Sequence, residues 1–320
     1  MVELDDKLTI PPVALGTWSW GSGNNGGDQI FGNHLTEDNL KSVFDAGMKY
    51  GLNLWDTAAV YAMGDSETIL GSYLQNVDRK DVILSTKFTP RIAEDVEYPM
   101  EKMLDGSLKR LHTDYTDIYW IHNSADVKKW TPQLIPLVKS GKIKHIGLSN
   151  HNLDDLKLAA SILADAGLKV SAVQNHYSLL YRASEQAGII DYCKKNNIVF
   201  FSYMVLEQGA LSGKYDVNNP MPNGSRRAKE YNPVMPKLTN LIQAMRDIAK
   251  DKNVSVAKIA TAWAISKGTV PILGVTKASQ VEDAASASKV KLTDGEVEVM
   301  EKLAYETGID TRGVWEKPMI

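Results

Sequence analysis

Short runs rich in valine, isoleucine and aromatic residues alternate along this chain with longer stretches whose apolar positions recur at helical spacing. That alternation predicts parallel strands joined by crossover helices. Eight strand candidates follow one another: VALGT (13–17), LNLWD (52–56), VILSTK (82–87), TDIYWIH (116–122), KHIGLS (144–149), VSAVQN (170–175), IVFFSY (198–203) and TVPILG (269–274), the last weakened by Pro271. The helices between them have readable starts. Thr36 precedes Glu37 and Asp38, with Leu40, Val43, Phe44 and Met48 on one face, and Asn152 stands in a capping position three residues before Asp155. Two further helices, near 255–266 and 293–306, flank the eighth strand and its own helix at 278–288. Long loops at 19–35 and 205–236 interrupt the pattern, and the second, rich in glycine and proline, falls where a functional insertion would sit.

Eight such units can close as a barrel, whereas a smaller number would form an open doubly wound sheet. The residues that end the strand candidates decide between them. Asp56, Lys87, His122, Ser149, Gln174, Tyr203 and Gly274 follow at intervals of 31, 35, 27, 25, 29 and 71, and each of the first five intervals matches one βα unit. In a barrel these strand ends share one rim, so polar residues unusual for buried strands converge on one pocket. The expected fold is α/β: a (β/α)8 TIM barrel with extra C-terminal helices and long loops over the C-terminal rim. With no repeat, linker or composition break, residues 1–320 read as one domain.

An apolar share of 43% with 23 glycines is ordinary for a globular protein with a sizeable core. With 36 basic against 39 acidic residues and no long basic run, nothing favours nucleic acid or a membrane surface, and no run approaches the roughly 18 apolar residues of a membrane span. The acidic start MVELDDKLTIPP has no apolar core, so a soluble, unprocessed protein is expected. Cys193 alone makes no internal disulfide and six scattered histidines give no zinc spacing, which fits a reducing, cytoplasmic setting without a metal. A small-molecule partner is expected.

Gly21, Gly23 and Gly26 satisfy G-x-G-x-x-G, yet the dinucleotide fingerprint requires the third glycine to open a helix, and GDQIFGNH shows no helical period. The segment reads as a flexible loop. The chemistry gathers instead at strands two to four, with Asp56 and Tyr61 in NLWDTAAVYAMGDSE, Lys87 in ILSTKF and His122 in IYWIHN. A lysine at a largely apolar rim needs a carboxylate partner, and Asp56 lies one strand away. That pair alone is consistent with a structural ion pair, and His122 alone with a satisfied core histidine. Tyr61 adds chemistry, because a cation beside a phenol stabilises phenolate and would let it donate and regain a proton near neutrality.

On these residues the chain resembles the aldo-keto reductase superfamily, from Leu8 to about Asp310. The resemblance implies that Asp56, Tyr61, Lys87 and His122 form the catalytic tetrad and that a nicotinamide cofactor binds beside them. Gly16, Thr17 and Trp18 resemble the family's segment after the first strand, with Asp56 also at the cofactor. Ser149 and Asn150 in GLSN and Gln174 in VQNHY resemble the carboxamide clamp, and Tyr203 the ring stacked on nicotinamide. Leu206, Gln208 and Lys214 resemble the pyrophosphate belt; Gly274, Thr276, Lys277, Gln280 and Asp283 resemble the adenosine phosphate site. The chain departs from the family at several points. Met204, Val205, Leu206 and Glu207 follow Tyr203 where Ser-Pro or Ser-Ala is common, Gln280 replaces a phosphate-gripping arginine, Asp283 and Ala284 replace a Glu-Asn pair, and Asn123 replaces an aromatic or arginine.

What the resemblance implies is NAD(P)H-dependent reduction of aldehydes or ketones to alcohols, with hydride from nicotinamide and a proton from Tyr61. NADPH is expected to be preferred modestly over NADH. Two other classes stay open: a Schiff-base aldolase using Lys87, and a nicotinamide-binding regulatory module of slow turnover. Trp18, Trp20, Met63, Phe88 and Asn123, with Tyr61 and His122, are expected to line the substrate pocket, shaped also by the two long loops and the tail around Trp315.

Overall fold

The period-two placement of side chains along each strand builds the barrel seen in a computed structural model of the chain, which describes residues 1–5 and 8–319. An antiparallel hairpin of β1 (Val2–Asp5) and β2 (Leu8–Ile10) comes first. The barrel strands are β3 (Ala14–Gly16), β4 (Leu54–Asp56), β5 (Ile83–Phe88), β6 (Thr116–Ile121), β7 (Ile143–Ser149), β8 (Ala172–His176), β9 (Val199–Tyr203) and β10 (Val270–Gly274). Each pairs in parallel with the next, and β10 closes on β3, so the eight units form a closed (β/α)8 barrel. Pro271 is accommodated in β10, which pairs with β9 through Val270 and Pro271 and with β3 from Ile272 onward.

Alternate residues face inward. Ala14, Leu54, Ile83, Ile118, Trp120, Ala172, Phe201, Val270 and Ile272 make an apolar interior column, and Leu4 and Ile10 of the hairpin join it. The hairpin lies outside the eight strands expected from the sequence. Residues of the opposite parity, such as Leu15, Trp55, Leu84, Tyr119, Leu148 and Val173, pack outward into the larger core with the helices. Both sets belong to one architecture: apolar layers hold the barrel, and the last inward position is polar at Asp56, Lys87, Ser149, His176 and Tyr203.

Trp120 fixes the middle of that column. Its ring fills the space where Gly147 has no side chain; a Cβ there would lie 2.1 Å from Trp120 Cε3. Gly147→Ala is therefore expected to destabilise the protein by about 1 to 3 kcal/mol through overpacking, read as a lower midpoint in urea at unchanged slope.

The helix Glu37–Lys49 buries Leu40, Val43 and Phe44. Its start is closed by Asn39, whose Oδ1 accepts from Thr36 N at 3.1 Å. Asn152 Oδ1 accepts from Asp155 N at 2.9 Å and opens the helix Leu153–Ala164. The helices Val256–Ser266, Ala278–Ala285 and Asp294–Glu306 stand near their expected places. The long loops differ from expectation. Gly26 does open a helix, the short Gly27–Phe31, which packs against Arg226–Tyr231 in the second loop, and the helix Met235–Asp251 begins inside that loop's expected span. The fingerprint reading still fails, because the sheet is a closed barrel and not an open one.

Candidate active site

Asp56 and Lys87 reach the same point because each is an inward position at the C-terminal end of its strand, β4 and β5. Lys87 is fully buried, with Nζ 2.5 Å from Asp56 Oδ2 and 2.8 Å from the Thr57 carbonyl oxygen. Trp120 Nε1 donates to Ser85 Oγ at 2.9 Å, and Ser85 Oγ donates to Asp56 Oδ1. Gln174 Nε2 also donates to Asp56 Oδ1, at 3.2 Å. The carboxylate is thus held from several sides. Tyr61 follows β4 on a tight turn in which Ala62 and Met63 take φ of 48° and 51°. Left-handed backbone at two non-glycine residues costs on the order of 1 to 3 kcal/mol each, and such strain persists where the surrounding structure fixes a side chain's direction. Here it aims the Tyr61 hydroxyl to within 3.3 Å of Lys87 Nζ. The Tyr61 and His122 rings meet edge to face with centroids 5.9 Å apart, and His122 Nδ1 lies 2.8 Å from Thr89 Oγ1.

Burial works against the Lys87 ammonium, but Asp56 and Tyr61 outweigh it and hold its pKa above the ordinary value. For Tyr61 burial is the largest influence and raises the phenol pKa; Lys87 lowers it and Asp56 raises it further, so the net shift is upward. This corrects the expectation that Lys87 brings the phenol toward neutrality: Tyr61 is a protonated donor at pH 7. Burial, then the charges of Lys87 and Arg91, push His122 well below its usual value, so its ring is neutral.

The polar residues expected at the cofactor meet one another around the rim. Asn150, at φ 58°, donates from Nδ2 to the His122 carbonyl oxygen at 2.8 Å and accepts at Oδ1 from the Tyr203 hydroxyl at 2.6 Å. Ser149 Oγ lies 3.3 Å from Asn150 Nδ2. Thr17 is buried and receives the Ser66 hydroxyl at 2.7 Å, beside Gly16, where a Cβ would lie 3.0 Å from Ile272 Cγ2. Beyond β9, Met204, Glu207 and Gln208 all take positive φ around Leu206. Runs of positive φ can turn backbone N–H groups toward an anion; here the Glu207 and Gly209 amides already donate to the Met204 and Leu206 carbonyl oxygens, at 2.7 and 2.8 Å. Gln208 Oε1 and Arg227 Nε are buried there without a hydrogen-bond partner among the described residues. At the start of Ala278–Ala285, Gln280 Oε1 accepts from Thr276 N at 2.7 Å and Lys277 N at 3.1 Å, so its side chain caps this helix; a Cβ at Gly274 would meet open space.

Asp283 is met by Lys258 Nζ at 2.9 Å and by the Ser255 hydroxyl of the neighbouring helix. Lys214 is exposed, with its ammonium 5.0 Å from the Tyr215 ring centroid. Phe88 has the opposite parity to Lys87, is fully buried and packs on Trp130 at 4.8 Å, so it belongs to the outer core and not to the pocket. Trp20 is likewise fully buried, packed on Trp55 at 5.4 Å with its indole donating to the Val275 carbonyl oxygen. Trp18 does reach the mouth, 6.3 Å from the Tyr61 ring, with exposed Met63 nearby on the Tyr61 turn. The sequence reading missed Phe31, whose ring meets Trp18 edge-on at 5.1 Å, and Arg226, whose guanidinium lies 5.2 Å from the Trp315 ring. The paired arginines opening SRRAKEY behind Ser225 were the available signal.

A closed parallel barrel carrying Asp, Lys, Tyr and His at its C-terminal rim defines a recognisable class. The model of the Aldo/keto reductase family matches residues 12–304, and the chain belongs to that family of oxidoreductases. It is 29% identical over 318 residues to the chloroplastic pyridoxal reductase of Arabidopsis thaliana, covering 94% of this chain and 85% of that protein. It is 30% identical over 309 residues to the NADP(+) aldo-keto reductase yakc of Schizosaccharomyces pombe, covering 90% and 87%. The solved glycerol dehydrogenase of Gluconobacter oxydans superposes with a TM-score of 0.77 at 25% identity, covering 92% of this chain and 91% of that one.

Proposed function

We propose that this protein reduces aldehydes or ketones to alcohols with NADPH, Tyr61 supplying the proton. The observation that carries the reading is the Tyr61 hydroxyl 3.3 Å from a buried Lys87 ammonium and beside a neutral His122, at the open end of the barrel. The unpartnered Arg227 Nε, a donor, the turn after β9 and the open space at Gly274 suit a bound dinucleotide, with Gln208 Oε1 an acceptor for one of its hydroxyls. Ser149, Asn150 and Gln174 would hold its carboxamide, Tyr203 its ring, Leu206 and Gln208 its pyrophosphate, and Thr276 and Lys277 its 2′-phosphate. When bound, the dihydronicotinamide supplies hydride to the carbonyl carbon. Tyr61 gives its proton to the carbonyl oxygen, and Lys87 stabilises the charge left on the phenol. In the tautomer whose Nδ1 accepts from the Thr89 hydroxyl, His122 would carry its proton on Nε2 and donate a hydrogen bond to the same oxygen as negative charge grows there.

The Schiff-base alternative loses support from the geometry. An amine nucleophile needs a free lone pair, whereas the Lys87 ammonium is bound to Asp56 and the Thr57 carbonyl oxygen and its pKa is raised. A slow nicotinamide-binding module is separated from an enzyme by kinetics. Turnover of an aldehyde and ketone panel, followed by loss of nicotinamide absorbance, tests the reading; no turnover with either cofactor would refute it.

Cofactor choice follows from the cap at Ala278–Ala285. Because Gln280 Oε1 already accepts from the Thr276 and Lys277 amides and from the Thr276 hydroxyl, a 2′-phosphate depends chiefly on the Lys277 ammonium. One charged contact is worth about 1.5 to 3 kcal/mol, so Lys277→Ala should weaken NADPH roughly ten- to hundredfold and leave NADH nearly unaffected. Fluorescence titration with both cofactors at fixed ionic strength checks this. Equal losses would move the phosphate site elsewhere.

A further inference from the structure

His176 ends β8 opposite Tyr203 and is fully buried. Its ring lies between two carboxylates, with Nε2 2.9 Å from Glu207 Oε1 and Nδ1 3.0 Å from Glu316 Oε1. A carboxylate only accepts, so each ring nitrogen must carry a proton and the ring is an imidazolium. Tyr181 stacks on the ring at 4.3 Å and Tyr203 at 5.5 Å. Glu207 also accepts from the hydroxyls of Ser178, Tyr231 and Thr311. Glu316 accepts from Gly313 N at 3.1 Å.

The two carboxylates come from different parts of the chain. Glu207 sits at φ 46° in the loop after β9, and Glu316 in the C-terminal tail. The imidazolium therefore joins tail to barrel. Next to Glu316 is Trp315, and its placement is what the joint sets. Its ring meets Trp18 edge-on at 5.7 Å, its Nε1 lies 3.4 Å from the Tyr203 hydroxyl, and its carbonyl oxygen accepts from Asn123 Nδ2 at 3.1 Å. Trp18 is in turn the neighbour of Tyr61.

We propose that the Glu207–His176–Glu316 bridge positions Trp315 as a wall of the carbonyl pocket, so that binding of large apolar carbonyl compounds, and not of small ones, depends on it. The proposal rests on the carbonyl-reductase reading. His176 and Glu316 are positioning residues: neither touches the Tyr61 hydroxyl, and both act through the tryptophan. Burial opposes the His176 cation, but Glu207 and Glu316 raise its pKa to about 9, above the ordinary 6.5. The bridge is thus complete below pH 6.5 and is lost as pH rises through about 9.

The test compares Glu316→Ala, Glu316→Gln and Trp315→Ala with an aryl aldehyde and a short aliphatic aldehyde. Glu316→Ala should raise KM for the aryl aldehyde about tenfold while kcat, and kcat/KM for the short aldehyde, change by less than about twofold. Glu316→Gln keeps an oxygen acceptor for Nδ1–H and should restore most of the loss. Trp315→Ala should match Glu316→Ala on the aryl aldehyde, and the double variant should be no worse than either. Tryptic cleavage after Arg312, followed by mass spectrometry, reads the tail without turnover. It should quicken in Glu316→Ala, and in the unmutated protein as pH rises through 9. Equal KM changes for both aldehydes, or failure of Glu316→Gln to rescue, would overturn the pocket wall; unaltered cleavage in Glu316→Ala would overturn the bridge. A protein that reduces no carbonyl compound would overturn the reductase reading and the wall with it, while cleavage would still report on the bridge.

Discussion

Tyr61→Phe is expected to lower carbonyl turnover by roughly 10²- to 10⁴-fold, the usual contribution of a positioned general acid, while cofactor affinity stays within about twofold. The phenol acts on the substrate oxygen, whereas the residues proposed for the cofactor lie on other strands. Because its pKa is raised by burial, the phenol stays protonated across neutral pH, and His122, held well below its ordinary value, stays neutral there. The reduction rate should therefore be flat across neutral pH and fall only as pH rises toward the elevated phenol pKa. Steady-state rates across that range, with cofactor binding measured separately, check both parts. Near-normal turnover by the phenylalanine variant would refute the assignment.

Lys87→Met should damage both stability and rate. Removing one partner of a buried ion pair strands the other charge, at a cost of about 3 to 5 kcal/mol. Asp56 would keep Ser85 and Gln174 as donors but lose its cation, and Tyr61 would lose the charge that moderates its pKa. The phenol pKa should then rise further, making it a weaker acid. Pairing Lys87→Met with Asp56→Asn removes both charges, so stability should recover in large part while activity does not. Denaturant midpoints and turnover of the two single variants and the double separate these effects. Recovery of activity together with stability would mean that the pair serves only to hold β4 and β5.

Much of this was legible because the barrel repeats one simple rule. Seven of the eight strand candidates were apolar runs that ended on a polar residue, the eighth ending on Gly274, so strand positions and the convergence of Asp56, Lys87 and His122 on one rim followed from spacing. Side-chain parity was the part most easily misread. Phe88 is the sequence neighbour of Lys87, yet on a strand that adjacency places it on the opposite face, against Trp130. The hairpin β1–β2 does alternate, through Val2, Leu4, Leu8 and Ile10, but its acidic residues and short length hid it. The helix Gly27–Phe31 spans five residues, too few to show a period, and is supported by packing against Arg226–Tyr231. The meeting of His176 with Glu316 joins residues 140 positions apart, a separation at which no local pattern operates.

The hairpin also bears on where protons can travel. Leu4 and Ile10 close the apolar column beneath Lys87, together with Leu54, Ile83, Ile118 and Trp120. The contacts of the ammonium lie on the rim side of that column, with Asp56, the Thr57 carbonyl oxygen and the Tyr61 hydroxyl. On the proposed reading, a phenol that has given up its proton would be recharged from that rim side, through the opening by which a carbonyl compound would enter and its alcohol leave. Proton uptake and product departure would then share one doorway, and a bulky product lingering under Trp315 would delay the return of the phenol to its acid form.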